Sequence, residues 1–521
     1  MRLVEIILSL FVAVAALAYL ARRLRVPYPI FLVLGGLALS FVPNLPRVTL
    51  APELVFVLFL PPILYYSGAQ TSWRDFKANA RPIGLLACGL VLFTTALVAV
   101  AAHYVLGMSW ACGFVLGAIV SPPDAVAATA IMSQMRIPRR IITILEGESL
   151  VNDATALVAY RLAVAAVVSG QFSVARGAGQ FVVVAVGGVA VGMLAGVVVA
   201  WIRPRVRDDG IEGLISLLTP YIAYLPAELI GVSGVLAVVT TGIYMSRRLP
   251  QITTGHTRLK LYAVWDTHIF ILNGLVFILI GLQLPVVLER LRAENMRHLG
   301  WHALLICGIV IALRILWVFP ATYVPRRLLR FVRERDPAPP FGPVFVIAWA
   351  GLRGIVSLAA ALALPTDFPQ RDLVILMTFA VILVTLVVQG LSLPAILKFL
   401  ALSDDGAEER EELRARHEAV HAAISRLDAL VALGEARAEA VRRVHDDLRR
   451  QARWISSQLN GGENGADDDV ELVCETELQA EREAIDAQHR MLVKLRDDGV
   501  IGDEVLRRVQ AELDHEESRL T

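Results

Sequence analysis

The sequence predicts an all-α polytopic membrane protein, with about 13 spanning helices in two inverted repeats, two of them broken, and a helical cytoplasmic tail. Three observations predict it. Apolar runs long enough to cross a bilayer recur from Leu3 to about Leu400, in a chain of 521 residues that is 56% hydrophobic and 19% charged. A soluble chain carries nearer a quarter charged residues. Basic residues alternate between dense and sparse loops. Two of the apolar runs are interrupted midway by proline or by glycine and arginine.

The runs start near residues 3, 28, 53, 82, 110, 141, 180, 211, 232, 266, 299, 342 and 371. The first is expected to be a spanning helix and not a cleaved signal peptide, because its strongest basic cluster, Arg22, Arg23 and Arg25, follows the apolar run. The third is interrupted by Pro61-Pro62, and the eighth and ninth are separated only around Gly231. Asp266 and His268 open the tenth, at the membrane interface. Odd-numbered loops hold 21 Lys and Arg and even-numbered loops 6. The positive-inside rule therefore places the odd loops and the tail in the cytoplasm and the N-terminus outside.

Residues 1–400 form the expected membrane domain and 401–521 a soluble helical domain. The tail reads as one long helix from Glu408 to Leu459, a break at Asn460–Gly465, a second helix over 470–496 and a last one to the end. It is either a solvated appendage or a regulatory or dimerising module. The net charge of +1 averages two unlike regions and gives no sign of a nucleic-acid partner. The four cysteines lack metal-ligand spacing, so no disulfide, metal centre or cofactor is expected. The histidines are scattered and no nucleophile–base set occurs, which argues against an enzyme.

Ionisable groups within a membrane are costly and default to functional candidates. Ser121-Pro122-Pro123-Asp124 divides the fifth run into Trp110–Val120 and Ala125–Met132, each too short to span. Prolines interrupt a helix, and Ser121-x-x-Asp124 reads as a capping box with Ser121 as N-cap. In the sixth run Glu148, Ser149, Asn152 and Asp153 share one side of a helix, offering oxygen to a hard cation. Glu146 there reads as a solvated charge at the cytoplasmic end. Gly351-Leu352-Arg353-Gly354 divides the twelfth run, placing a cation where broken helix ends expose carbonyls. If runs 1–6 and 8–13 are repeats they are inverted, and the two breaks correspond. Paired interrupted helices mark the binding site in such folds.

Ser121-Pro-Pro-Asp-Ala-Val-Ala, Leu145-Glu-Gly-Glu-Ser-Leu-Val-Asn-Asp-Ala and Gly351-Leu-Arg-Gly resemble the monovalent cation:proton antiporter-1 family of sodium/proton exchangers. Ala227–Ala237 and Leu272–Leu282 agree with it, and the resemblance covers residues 3–400. It implies a 13-helix homodimer whose six-helix core swings like an elevator, exchanging Na+ for H+ in a bacterial inner membrane. It implies Asp153 as the carboxylate that binds cation and proton. Asp124, Ser149 and Glu148 bind or surround the ion, and Asn152 orients the site. Arg314 is implied as the partner of Glu148, and Arg353 as the arginine of the second break. The family commonly has Thr-Asp-Pro where this chain has Pro123-Asp124-Ala125, so a threonine hydroxyl is missing. Ser121 or a freed carbonyl is a candidate substitute. One carboxylate that always crosses neutralised implies electroneutral exchange. K+/H+ exchange on the same scaffold and a membrane sensor without transport are the alternatives.

Overall fold

The structure is a computed structural model. It describes residues 2–459 apart from 25, 43–54, 133, 134, 136, 170–173, 207, 284, 286–295, 403–405 and 433–437, and beyond them only 488, 491, 494 and 498. Among the described residues every regular element is helical. The chain divides into two compact units, Met1–Asp404 and Asp405–Thr521.

In the first unit the order begins with α1 (Arg2–Leu24) and α2 (Tyr28–Ser40). A π-turn at Val55–Phe59 leads into α3 (Leu60–Gln70). Pro61 and Pro62 fall where the π-turn passes into α3, and the two run on as one apolar helix, Val55–Gln70, so the pair shifts the hydrogen-bond register and does not interrupt the segment. Short α4 (Trp73–Ala78) and α5 (Ala80–Gly84) precede a π segment, Leu85–Leu90, and α6 (Val91–Leu106). Then come α7 (Trp110–Val120), α8 (Ala125–Met132), α9 (Arg139–Ser169) and α10 (Val174–Ile202). After them α11 (Asp209–Leu229) and α12 (Gly234–Ile252) turn at Gly231, whose φ of 76° suits a residue without a Cβ. The following helix, α13 (Gly255–Leu282), starts eleven residues before Asp266, which together with His268 therefore lies well inside it and not at its opening. Thr254 caps it, accepting from the Thr257 N–H at 3.3 Å. The unit ends with α14 (Met296–Leu328), α15 (Arg330–Arg335), α16 (Phe341–Trp349), α17 (Ile355–Leu362), α18 (Arg371–Val384), a π segment at Thr385–Gln389, and α19 (Gly390–Phe399).

Among the described residues eight helices are long and apolar enough to cross a membrane, and Tyr28–Ser40 and Val55–Gln70 are shorter apolar helices. The chain is a multi-pass membrane protein. The most weakly buried span is that of α1, followed equally by those of α10 and α14, with Phe11, Val12, Val183, Val186 and Leu316 turned outward. That is where apolar side chains face lipid without penalty. By contrast α2 and α13 cross so closely that the Gly36 and Gly281 backbones lie against the Ile278 and Val33 carbonyls, the small-residue packing that holds helices together in lipid.

At the arginine-rich end, Asp336 gathers Arg326 at 2.6 Å, Arg140 at 2.7 Å and Arg81 at 3.0 Å. Partial burial raises its carboxyl, but the hydrogen bond and charge of Arg140, with Arg326 and Arg81, outweigh that and hold it below the usual carboxylate range.

In the second unit the expected single helix over 408–459 is instead two, α20 (Ala407–Ala432) and α21 (Ala438–Leu459). They pack on each other through Val420, Ala452 and Ile455. The interval between them contains Gly434, the poorest helix former short of proline. The helices expected over 470–496 and beyond lie outside the described residues.

Candidate functional site

Both breaks occur at the residues the pattern indicated, and they meet. α7 stops at Val120, and residues 122–124 carry no regular structure, because Pro122 and Pro123 have no N–H to give. α16 stops at Trp349, and residues 350–354 run irregularly to α17. The Asp124 N–H donates to the Leu352 carbonyl at 2.6 Å, joining the two breaks backbone to backbone. Gly354 is obligatory there: a Cβ would occupy the space of Asp124 Oδ2.

The cap at the first break differs from the expected one. Ser121 ends α7, its hydroxyl donating to the Ala118 carbonyl at 3.1 Å, and does not open α8. Asp124 caps α8, its Oδ1 accepting from the Val126 N–H at 2.8 Å. A carboxylate suits this place, because the helix N-terminus carries partial positive charge. Asn152 donates to the Pro123 carbonyl at 3.1 Å, covering a group that the break would leave bare.

Each broken helix also exposes carbonyls at its C-terminal end, and each end receives an arginine. Arg353 reaches from the second break to the Val120 carbonyl at 3.1 Å and to Gly351. Its own N–H is held by Thr385 Oγ1 at 3.1 Å. Arg314 on α14 donates to the Ile347 carbonyl at 3.2 and 3.0 Å. The same guanidinium grips both oxygens of Glu148, at 2.6 and 2.8 Å, with the pair 0% and 1% exposed. This fork-on-fork geometry is the strongest form of the interaction. Gly351 packs against the Arg314 side chain.

Beside the crossing lies a cavity of about 80 Å³, bounded by α3, the first break, α9, α13 and the start of α17. That is several times the ~15 Å³ one water needs. Asp124, Ser149 and Asp153 line it. Ser149 Oγ accepts from the Ala125 N–H at 3.4 Å. Asp153 is 6% exposed and has no hydrogen bond or ion pair among the described residues. Glu148 is matched by Arg314, whereas Asp124, Asp153 and the half-buried Glu146 line the cavity with no basic side chain among its lining residues.

The profile of the family described as "Sodium/hydrogen exchanger, transmembrane" matches residues 8–399. An uncharacterized Na+/H+ exchanger of Mycobacterium tuberculosis is 36% identical over 99% of this chain and 96% of its own length. The chain belongs to the sodium/hydrogen exchanger family. The Na+/H+ antiporter ApNhaP of Aphanothece halophytica is 33% identical over 82% of this chain and 80% of its own. A sodium, potassium, lithium and rubidium/H+ antiporter of Bacillus subtilis is 37% identical over 71% of this chain and 57% of its own. The fold is that of the sodium proton antiporter MjNhaP1 of Methanocaldococcus jannaschii, with a TM-score of 0.58 and 19% identity over 77% of this chain and 100% of that one.

In this exchanger the residues picked out on one side of α9 divide into two sets. Ser149 and Asp153 face the cavity, whereas Glu148 is consumed by Arg314 and the Asn152 N–H by Pro123, with Asn152 Oδ1 left unpaired outside the cavity lining. Helical spacing cannot separate neighbours at this level, since adjacent residues differ by only about 100°. Glu146, read from the sequence as a solvated charge, is half-buried and lines the cavity, two turns before Asp153. Ser357, in the first turn of α17, lines it too. The available signal was its place three residues after the second break.

Proposed function

We propose that this chain exchanges Na+ for H+ across a bacterial inner membrane, with Asp153 as the carboxylate both ions share. The observation that carries this is Asp153 itself, a buried carboxylate on the cavity wall with no hydrogen bond or ion pair among the described residues. An ionised carboxylate out of water is costly unless it is paired. One proton or one monovalent cation cancels the charge, and either leaves the moving site neutral. The two ions therefore compete for one place and alternate, and exchange is electroneutral. Asp124 and Ser149 supply further oxygens to the cation. Arg314, Arg353 and Glu148 hold the broken helices that present them.

Na+ is the cation of choice because the relatives that match 99% and 82% of the chain carry that name. The Bacillus subtilis relative's name adds potassium, lithium and rubidium, so K+ and Li+ belong in the same assay. Counting α11, α12 and the two broken helices each as one crossing gives thirteen, with the N-terminus outside and the tail cytoplasmic. We place two copies together in a homodimer, with the six-helix core moving against the outer helices.

The test is cation-dependent collapse of an imposed pH gradient in proteoliposomes, ion by ion. Asp153→Asn should reduce it to the protein-free level. Undiminished exchange by Asp153→Asn would remove this carboxylate from the mechanism. A current driven by exchange, read with a voltage-sensitive dye, would overturn electroneutrality.

A further inference from the structure

The triplet at the first break lacks a threonine hydroxyl, and the structure offers another oxygen. Ser121 is not it: its hydroxyl is spent on Ala118, and it does not reach the cavity. Ser357 lines the cavity together with Asp124, Ser149 and Asp153, is 1% exposed, and its Oγ has no hydrogen-bond partner. A serine in a helix ordinarily returns its hydroxyl to the carbonyl four residues back. Here that residue is Arg353, outside the helix, and no such bond forms. A buried hydroxyl without a partner is expensive unless something intermittently present completes it.

We propose that Ser357 Oγ is a ligand of the transported cation, standing in from the second broken helix for the hydroxyl missing at the first. A hydroxyl lone pair suits a hard monovalent ion. Its position also lets both breaks serve the same ion. Asp124 approaches from one and Ser357 from the other, while Ser149 and Asp153 come from α9. Cation binding then draws both half-helices together. In the protonated state the hydroxyl is left with water.

This rests on the exchange reading above, and the experiment separates the two. Apparent KM and maximal rate for Na+, Li+ and K+ are measured in proteoliposomes for wild type, Ser357→Ala, Ser357→Thr and Ser121→Ala, with thermal stability of each in detergent. Ser357→Ala should raise the KM for Na+ about ten-fold, the size of one lost interaction with a charged group. It should change the ratio among the three ions, and it should leave thermal stability equal or higher, since no protein contact is lost. Ser357→Thr, which keeps the oxygen, should restore the KM to within about three-fold. An unchanged KM and ion ratio in Ser357→Ala overturns the proposal. So does a fall in stability with KM unmoved, which is the mark of a packing role, or a KM rise in Ser121→Ala in place of Ser357→Ala. Failure of the wild type to couple any cation to the pH gradient sinks the exchange reading itself.

Discussion

Arg314→Met tests whether the Glu148–Arg314 pair is the brace of the crossing. In the wild type one guanidinium satisfies both Glu148 oxygens, at 2.6 and 2.8 Å, and the Ile347 carbonyl at the end of α16. Methionine fills most of the volume and removes the charge. Glu148 is then a lone carboxylate at 1% exposure, and the Ile347 carbonyl loses its partner. Breaking a buried pair from one side costs about 3–5 kcal/mol. Glu148→Gln should cost less, because the neutral amide still accepts from Arg314. The double variant should recover about 2 kcal/mol of the sum, since it leaves no unpaired charge. The assay is unfolding by sodium dodecyl sulfate in mixed micelles, followed by tryptophan fluorescence. If Arg314→Met costs under about 1 kcal/mol, or the two single costs simply add, the pair does not brace the helices and the reasoning fails.

Gly354→Ala places a methyl where Asp124 Oδ2 lies, and overpacking of this kind costs about 1–3 kcal/mol. Turnover should fall far more than stability, because the displaced group belongs to the site; wild-type turnover in proteoliposomes would show that Asp124 has room to move. Asp336 is held below the usual carboxylate range, so its arginine cluster stabilises the protein above that range and the benefit disappears as the pH falls through the depressed value. Asp336→Asn should therefore lower the melting temperature at pH 7, by an effect on the order of 1 kcal/mol for a partly exposed network, and the gap to wild type should be smaller at pH 3. Equal gaps at both pH values would assign the effect to packing. Glu146 lies two turns, or about 10 Å, before Asp153 on the same face. Its charge should draw cations inward, so Glu146→Gln should raise the Na+ KM about four-fold at low salt and less at high salt, with maximal rate preserved. A salt-independent change would point to distortion of the cavity.

The breaks were legible in the sequence almost to the residue. Trp110–Val120 and Ala125–Met132 stand as read, because a proline pair and a run too short to span are local facts that no packing can undo. Family membership was equally legible, since its motifs are strings of adjacent residues. The caps were harder. Ser121 has the chemistry of an N-cap, yet the helix starts four residues later, where Asp124 also meets the Leu352 carbonyl. That partner lies over two hundred positions away in sequence, and only the fold brings it there.

By itself, the sequence determined which residues are ionisable inside apolar segments and where the helices must break. Both follow from covalent chemistry and from the cost of polar groups in lipid. Only the tertiary structure decided which of those residues face the ion. Glu148 and Ser149 are neighbours on one helix, but an arginine from α14 takes the first and the cavity takes the second. Ser357 is one of many serines until α17 brings it to the wall of the cavity and leaves its buried hydroxyl without a partner. Spacing places a side chain on a face of its own helix. What that face meets depends on distant segments, and that contact separates a ligand from a brace.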